Sequence, residues 1–336
     1  VTYSGPGWNR LRNENVSWEV GHKLDLGFDM QLFNALDITF DWFRERRTNI
    51  FQQKLSIPNY LGTANTKIYG NLAEVINKGF DMAVNYSKRI NNDLSIQFQG
   101  TFTYNNNEIS VYDEAPGKRD AMKSQGKNVK TVWGYVANGL YIDKADIANN
   151  PTSTLGNIAI APGDIKYVDQ PDRDGKYDGR ITADDQVPLG VSVPKIIYGF
   201  GPSVGYKNWD FSVFFQGRGN VALMLSDIQP FGSSYRRGVL EFVDEDHWSP
   251  DNQNPNAKYP RLTDNYNNHN TASSSYWLRN GRFLKLKNAE IGYSLKNMRF
   301  YVNGTNLLTF SPFKKWDPEM GGGNYTTKYP TQMTVN

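Results

Sequence analysis

The sequence predicts an all-β chain, part of a transmembrane antiparallel β-barrel with long extracellular loops. Three observations carry this. Strand-period alternation is long and helix-period patterning is scarce. Short and long connections alternate strictly along the chain. Hydrophobic residues make up only 38% of the 336 residues while aromatics reach 14%, which suits a barrel with a polar lumen and a single outer apolar band edged by aromatic girdles.

Eight strands follow in order. The first, 16–33, sets Leu24, Leu26, Phe28, Met30 and Leu32 on one face against Asp25, Asp29 and Gln31. In the second, 35–51, Leu36, Ile38, Phe40 and Trp42 alternate with Asp37, Thr39 and Asp41. The period of two gives one apolar and one wet face; in a barrel the first meets lipid and the second the lumen. The third, 73–90, opposes Phe80, Met82, Val84 and Tyr86 to Asp81, Asn85 and Ser87. The fourth, 94–109, opposes Leu94, Ile96, Phe98, Phe102 and Tyr104 to a row of Ser, Gln and Thr. Two more are expected at 194–206 and 209–224, and the last two at 279–295 and 298–310.

The joints Asn34-Ala35, Asn91-Asn92-Asp93, Lys207-Asn208 and Lys296-Asn297 are tight turns of turn-forming residues. The other connections are long: 52–72, 111–193, 225–278 and 311–336. Barrels of the outer membrane show this asymmetry, with short turns inside and long loops outside. Tyr86, Tyr206, Trp209 and Tyr293 adjoin the short turns, and Trp18, Trp42 and Tyr104 lie toward the long loops, as two girdles would. Eight strands would close only a narrow barrel. Loops this large suit a wider one, of which 1–336 is a C-terminal part.

Composition excludes several functions. The 37 basic and 34 acidic residues leave a net charge of +3, which makes no case for nucleic acid. The run Arg44, Arg46, Arg47 reads as a solvated rim. The absence of cysteine removes disulfides and thiol chemistry. No apolar run reaches the ~20 residues of a membrane helix. The opening VTYSGPGWNR carries no secretory leader and reads as the middle of a longer protein.

Two groups of residues are candidates for ligands. Trp133, Tyr135, Tyr141, Tyr235, Trp248, Tyr259, Tyr266 and Trp277 lie in the long loops. Their rings could stack on sugars or on peptide backbone, or be consumed by packing in the loops. The acidic stretch Asp174–Asp185 follows a calcium-loop register, with Asp174 at position 1, Asp178 at 5, Gly179 at 6 and Asp185 at 12. Lys176 stands at position 3, where a ligand belongs; Asp172 or Asp169 could substitute. Calcium on Asp172, Asp174, Asp178 and Asp185 is one reading, and an acidic turn held by its own hydrogen bonds is the other. No other cofactor is expected. Asp25, Asp29, Asp37, Asp41 and Asp81 form a repeated lumen face, not an acid–base pair, and His22, His247 and His269 lack metal-ligand spacing. No catalytic motif appears, so no enzyme is expected.

Several long stretches together resemble a known family. PGDIKYVDQPDRDGKYDGRITADDQVPLG (162–190) and PKIIYGFGPSVGYKNWDFSVFFQGRGN (194–220) are similar to the C-terminal half of SusC/RagA-type TonB-dependent transporters. So are NVSWEVGHKLDLGFDM (15–30), GYVANGLY (134–141), HWSPDNQNPNAKYPRL (247–262), SYWLRNGRFLKLKNAEIGYSL (275–295) and RFYVNGTNLLTFSPFKKWDPE (299–319). The resemblance covers nearly the whole chain in the family's order. It implies a barrel of about 22 strands in the outer membrane of a Bacteroidota bacterium, with a plug domain and TonB box upstream of these residues. It implies a SusD-like surface lipoprotein as lid, a homodimer of such pairs, and an oligosaccharide or peptide as cargo. The family closes on one more strand ending in an aromatic residue, whereas this sequence stops at MTVN. A passive porin or structural assembly protein of the outer membrane would keep the barrel without TonB. A soluble carbohydrate-binding β protein would need a second sheet over the apolar face.

Overall fold

The computed structural model describes residues 10–57, 67–226, 238–324 and 328–336. Its wall is one nine-stranded sheet in simple chain order. The strands are β1 Val20–Leu32, β2 Leu36–Gln53, β3 Tyr69–Arg89, β4 Leu94–Val111, β5 Ile196–Tyr206, β6 Trp209–Gly219, β7 Phe283–Leu295, β8 Met298–Phe310 and β9 Thr334–Val335. Every neighbouring pair is antiparallel. The sheet is open among the described residues, with β1 at one edge and β8–β9 at the other. No described helix is long and apolar enough to cross a membrane.

Register explains why the two faces stay separate. Leu26, Trp42, Phe80, Tyr104 and Ile196 are successive cross-strand partners, and so are Phe28, Phe40, Met82, Phe102 and Tyr198. On the opposite face Asp29, Thr39, Ala83, Thr101, Gly199, Gln216, Lys285 and Thr309 make one row. A slip of one residue would exchange the faces. Rings bridge strands on the apolar side, Phe28 to Phe40 at 5.7 Å, Phe40 to Phe80 at 5.8 Å and Phe80 to Phe102 at 5.6 Å between centroids. Hydroxyls meet carboxylates on the other, Thr39 Oγ1 donating to Asp29 at 2.7 Å and Thr103 Oγ1 to Asp81 at 2.6 Å. The apolar face is open: Leu26 is 59% and Phe300 58% exposed. Lipid is the solvent that suits such a face.

The turns are tight where the sequence placed them. Between β1 and β2, Phe33 and Asn34 both take left-handed φ, 56° and 48°, which matches the twist of a short hairpin.

Three expectations change. The strand expected over 209–224 breaks after Gly219 because Asn220 takes φ 51°. Residues Ala222–Ser226 leave the wall and pair with Leu278–Asn280 and Gly323–Asn324 in a separate small sheet. The strand expected over 279–295 splits in the same way, its wall part starting at Phe283. The loop expected over 311–336 returns to the wall at its end, where Val335 and Thr334 pair with Gly304 and Thr305.

Candidate functional site

The long connections are not coil. Residues 131–191, 221–226, 238–278 and 311–324 pack into a layer with its own core. Val187–Val191 pairs with Thr131–Gly134, and Ala137–Leu140 with Ile165–Tyr167. Single bridges tie Tyr135 to Ser274 and His247 to Tyr259. The core gathers Tyr135, Leu140, Ile165, Tyr167, Ile181, Leu223, Leu225, Val243, Trp248, Ala257, Tyr259, Trp277, Phe313 and Trp316.

Five of the aromatic ligand candidates lie inside this layer. Tyr135, Tyr141, Trp248, Tyr259 and Trp277 are all buried. Tyr135 packs on Tyr167 at 5.3 Å, and Trp277 touches Tyr259 at 6.3 Å and Tyr276 edge-on at 5.3 Å. Trp277 Nε1 donates to the Asn270 carbonyl at 2.7 Å. Trp248 lies over Gly163, whose φ of +86° and close approach leave no room for a Cβ. Burial pushes the Tyr141 phenol above its ordinary pKa, with Asp146 and Asp164 adding to the rise. In this arrangement the rings of these five face protein, not an open cleft. Trp133 is half-buried on the strand paired with Pro188. Tyr266 offers its carbonyl to Asn157 Nδ2 at 2.7 Å. Tyr235 lies outside the described residues.

Three of the four proposed calcium ligands accept hydrogen bonds from nearby backbone amides. Asp172 Oδ1 accepts from the amides of Asp174 and Lys176 at 2.8 and 2.9 Å. Asp178 accepts from Arg180 N at 2.8 Å. Asp185 closes a capping box with Thr182 and accepts from Gln170 N at 2.8 Å. Among the described residues no three acidic or histidine side chains form a metal-holding group. Asp169 is the unresolved member. It is buried, one oxygen accepts from Gly179 N at 2.8 Å, and Oδ1 has no hydrogen-bond partner among the described residues. Burial raises its pKa, and the neighbouring Asp185 and Asp178 carboxylates raise it further. A cleft of about 650 Å³ opens between this loop and residues 115–122, lined by Arg119, Arg173 and Lys176 as well as the acids.

Two polar networks hold the layer, and sequence reasoning missed both. Asp164, fully buried, accepts from Arg261 Nε at 2.7 Å and Nη2 at 3.1 Å, from Asn270 Nδ2 at 2.8 Å and from Asn267 Nδ2 at 3.2 Å. Beside it His269 donates Nε2–H to the Ile165 carbonyl at 2.6 Å, leaving Nδ1 to accept from Ser153 Oγ at 2.8 Å. The carbonyl contact fixes the neutral tautomer, and burial holds the imidazole below its usual pKa. The second network anchors the layer to the lumen face of the wall. Lys285 on β7 is fully buried and donates to both oxygens of Asp317 at 2.6 Å and to Glu319 at 2.7 Å. Lys287 also reaches Glu319, at 2.8 Å, and Arg218 donates to the Pro318 carbonyl at 2.5 Å. Burial alone would raise the Asp317 and Glu319 pKa values, but the hydrogen bonds and positive charges of the lysines, joined at Asp317 by the Glu319 amide, together hold both low. The visible signal was the pair Lys285 and Lys287 followed, one strand later, by Asp-Pro-Glu.

No model of a known protein family matches the chain. Individual proteins do. The chain is 27% identical to TonB-dependent receptor P3 of Formosa agariphila over 91% of its own length and 31% of that protein. It is 23% identical to TonB-dependent receptor SusC of Bacteroides thetaiotaomicron over 99% of its length and 33% of that protein. Among solved structures it superposes on the RagAB peptide transporter with a TM-score of 0.68 at 21% identity, covering 96% of this chain and 35% of that one. That likeness gives the fold, the wall of an outer-membrane barrel. The chain spans about a third of the length of the curated relatives it matches.

Proposed function

We propose that this chain, a SusC/RagA-type TonB-dependent receptor of the outer membrane by sequence and fold, serves energised import of a large nutrient, an oligosaccharide or a peptide. The wall separates lipid from a polar lumen. The loop layer forms the outer mouth, and a SusD-like surface lipoprotein closes over it. Energy enters from TonB through a plug domain, and two receptor–lipoprotein pairs associate as a dimer. The chain itself carries out no covalent chemistry, in keeping with relatives that are named receptors and transporters. The carrying observation is the register: one continuous apolar face, one polar face, and every long connection at the same end. RagAB, named a peptide transporter, supports the peptide arm of the cargo reading.

The test is uptake of labelled oligosaccharides and peptides by cells with and without the gene, each with and without a proton uncoupler. Uptake that needs both the gene and the proton gradient supports the proposal. Gene-dependent uptake that survives the uncoupler would overturn it in favour of a passive pore. Affinity capture in detergent should bring down a large lipoprotein.

A further inference from the structure

The outward face of the wall changes character abruptly on its long-loop side. Leu26, Trp42, Phe80 and Tyr104 form the last row without a charge. The next row is Leu24, Arg44, Lys78 and Asn106, and the one beyond is His22, Arg46, Ile76 and Glu108. The register thus divides the basic run read as a solvated rim. Arg47 points to the lumen side, where it bonds Glu45 at 2.8 Å and Glu19 at 3.5 Å. Arg44 and Arg46 point outward with Lys78.

Of these outward cations, Arg46 is already matched, donating to Glu74 at 2.7 Å, and Glu74 also accepts from Ser110. Arg44 and Lys78 are exposed and make no hydrogen bond or ion pair among the described residues, and the nearby Glu74 carboxylate, which attracts Arg44 at longer range, is already held by Arg46. They are direct cross-strand partners, so their backbones lie about 5 Å apart. Like charges placed directly opposite are destabilising unless an anion lies between them.

Height decides what the anion is. The pair sits one row beyond the Trp42–Tyr104 girdle, at the level where an outer leaflet carries its headgroups. Arginine matches phosphate oxygens in a fork, and lysine adds a point charge. We propose that Arg44 and Lys78, with His22 at the margin, bind the phosphate of a phosphorylated glycolipid in the outer leaflet. This rests on the outer-membrane orientation given above, with the long loops outside.

The experiment uses the natural protein extracted from outer membranes in detergent, delipidated and offered phosphorylated or enzymatically dephosphorylated glycolipid, with retained lipid counted by native mass spectrometry. Cleavage of the long loops by protease added to intact cells tests the orientation separately, before any lipid is added. The wild-type protein should retain the phosphorylated lipid and not the dephosphorylated one, and inorganic phosphate should not displace it. Arg44→Gln with Lys78→Gln should weaken retention about twenty-five-fold, each cation near a headgroup plane contributing about fivefold. Arg44→Lys with Lys78→Arg should keep it, as should Glu45→Gln on the lumen side. Equal retention of both lipids by the wild-type protein overturns the proposal even if a variant fails to fold. So does undiminished retention by the Gln variant. Displacement by inorganic phosphate would reassign the site to a free anion and overturn the lipid assignment.

Discussion

Phe28 on β1 and Ile165 in the loop layer are both large apolar residues, yet 52% of the first is exposed and none of the second. The contrast runs through both regions. The wall turns its apolar residues outward and hydrogen-bonds its carboxylates to hydroxyls across the sheet. The loop layer turns Tyr167, Trp277 and Val243 inward and seals Asp164 and His269 beneath them. One chain is written for two solvents. In lipid, the sheet must satisfy every backbone group from strand to strand, and the side chains gain by facing out. In water, the layer needs a core, and in a stretch so rich in Gly, Asn and Asp it builds one from aromatic rings and buried ion pairs.

If the two regions are separate constructions, damage to one should leave the other standing. Arg261→Ala strips the buried Asp164 of its counter-charge, and breaking such a pair costs ~3–5 kcal/mol. Hydrogen exchange should show amides of 131–191 and 238–278 losing protection while β1–β4 keep theirs. Loss of protection across β1–β4 as well would mean that the layer supports the wall. The converse change is Phe40→Arg, near the middle of the apolar band, expected to cost ~2–4 kcal/mol on refolding into vesicles. Thr39→Arg, one residue away on the lumen face, should fold within experimental error of the parent. Equal cost at both positions would contradict the assignment of faces.

The contrast also sets what the sequence could reveal. Alternation in 35–43 and the joints Lys207-Asn208 and Lys296-Asn297 are local signals, so β2, β6, β7 and β8 could be placed from a few residues each. The break at Asn220 was hidden because Val221, Leu223 and Leu225 carry on the alternation, although they fill the loop core instead of the wall face. Packing among the loop aromatics was one of the readings the sequence allowed, but not which ring packs on which. Tyr135 needs Tyr167, Asp164 needs Arg261 97 residues away, and no periodicity links them. A ring awaiting a sugar and a ring packed against another ring are written with the same letter. Lys285 was legible only as one more polar position on a lumen strand, since its partners arrive after another strand and a loop.

Acid should separate the regions without any substitution. His269 is neutral when folded, and burial lowers its pKa beneath the ordinary 6.5. The unfolded chain therefore takes up the proton first. The contribution of His269 is complete above pH 6.5 and declines as pH falls through that value toward the folded pKa. The slope is at most about 1.4 kcal/mol per pH unit for one proton. The charged groups facing it, Asp164 and Arg261, are already paired with each other. Protection of the loop layer should fall between pH 7 and 5.5 with that of β1–β4 unchanged. His269→Gln should be less stable at neutral pH but flat across the interval. A parent layer insensitive to pH in this range would show that the ring is more accessible than its burial indicates.

The smallest effect is expected in the acidic loop, and it has the opposite sign. The pKa of Asp169 is raised by burial and by Asp185 and Asp178. Whatever this carboxyl contributes is complete below its unfolded pKa and is lost as pH rises through the higher folded one. When ionised it is a buried negative charge beside other carboxylates, with Oδ1 unpartnered among the described residues. Asp169→Asn keeps an oxygen for the Gly179 amide and turns an NH₂ toward its acidic neighbours. It should leave stability unchanged or raise it by up to ~1 kcal/mol. Chelation by EDTA should then leave the melting of the loop layer where it was. Calcium would reverse both signs, because a cation is the other way to neutralise Asp169. In that case EDTA would lower the transition of the parent, Asp169→Asn would be destabilising, and the two effects would not add. The variant and the chelator, measured together, decide whether this turn is held by its own hydrogen bonds or by a metal.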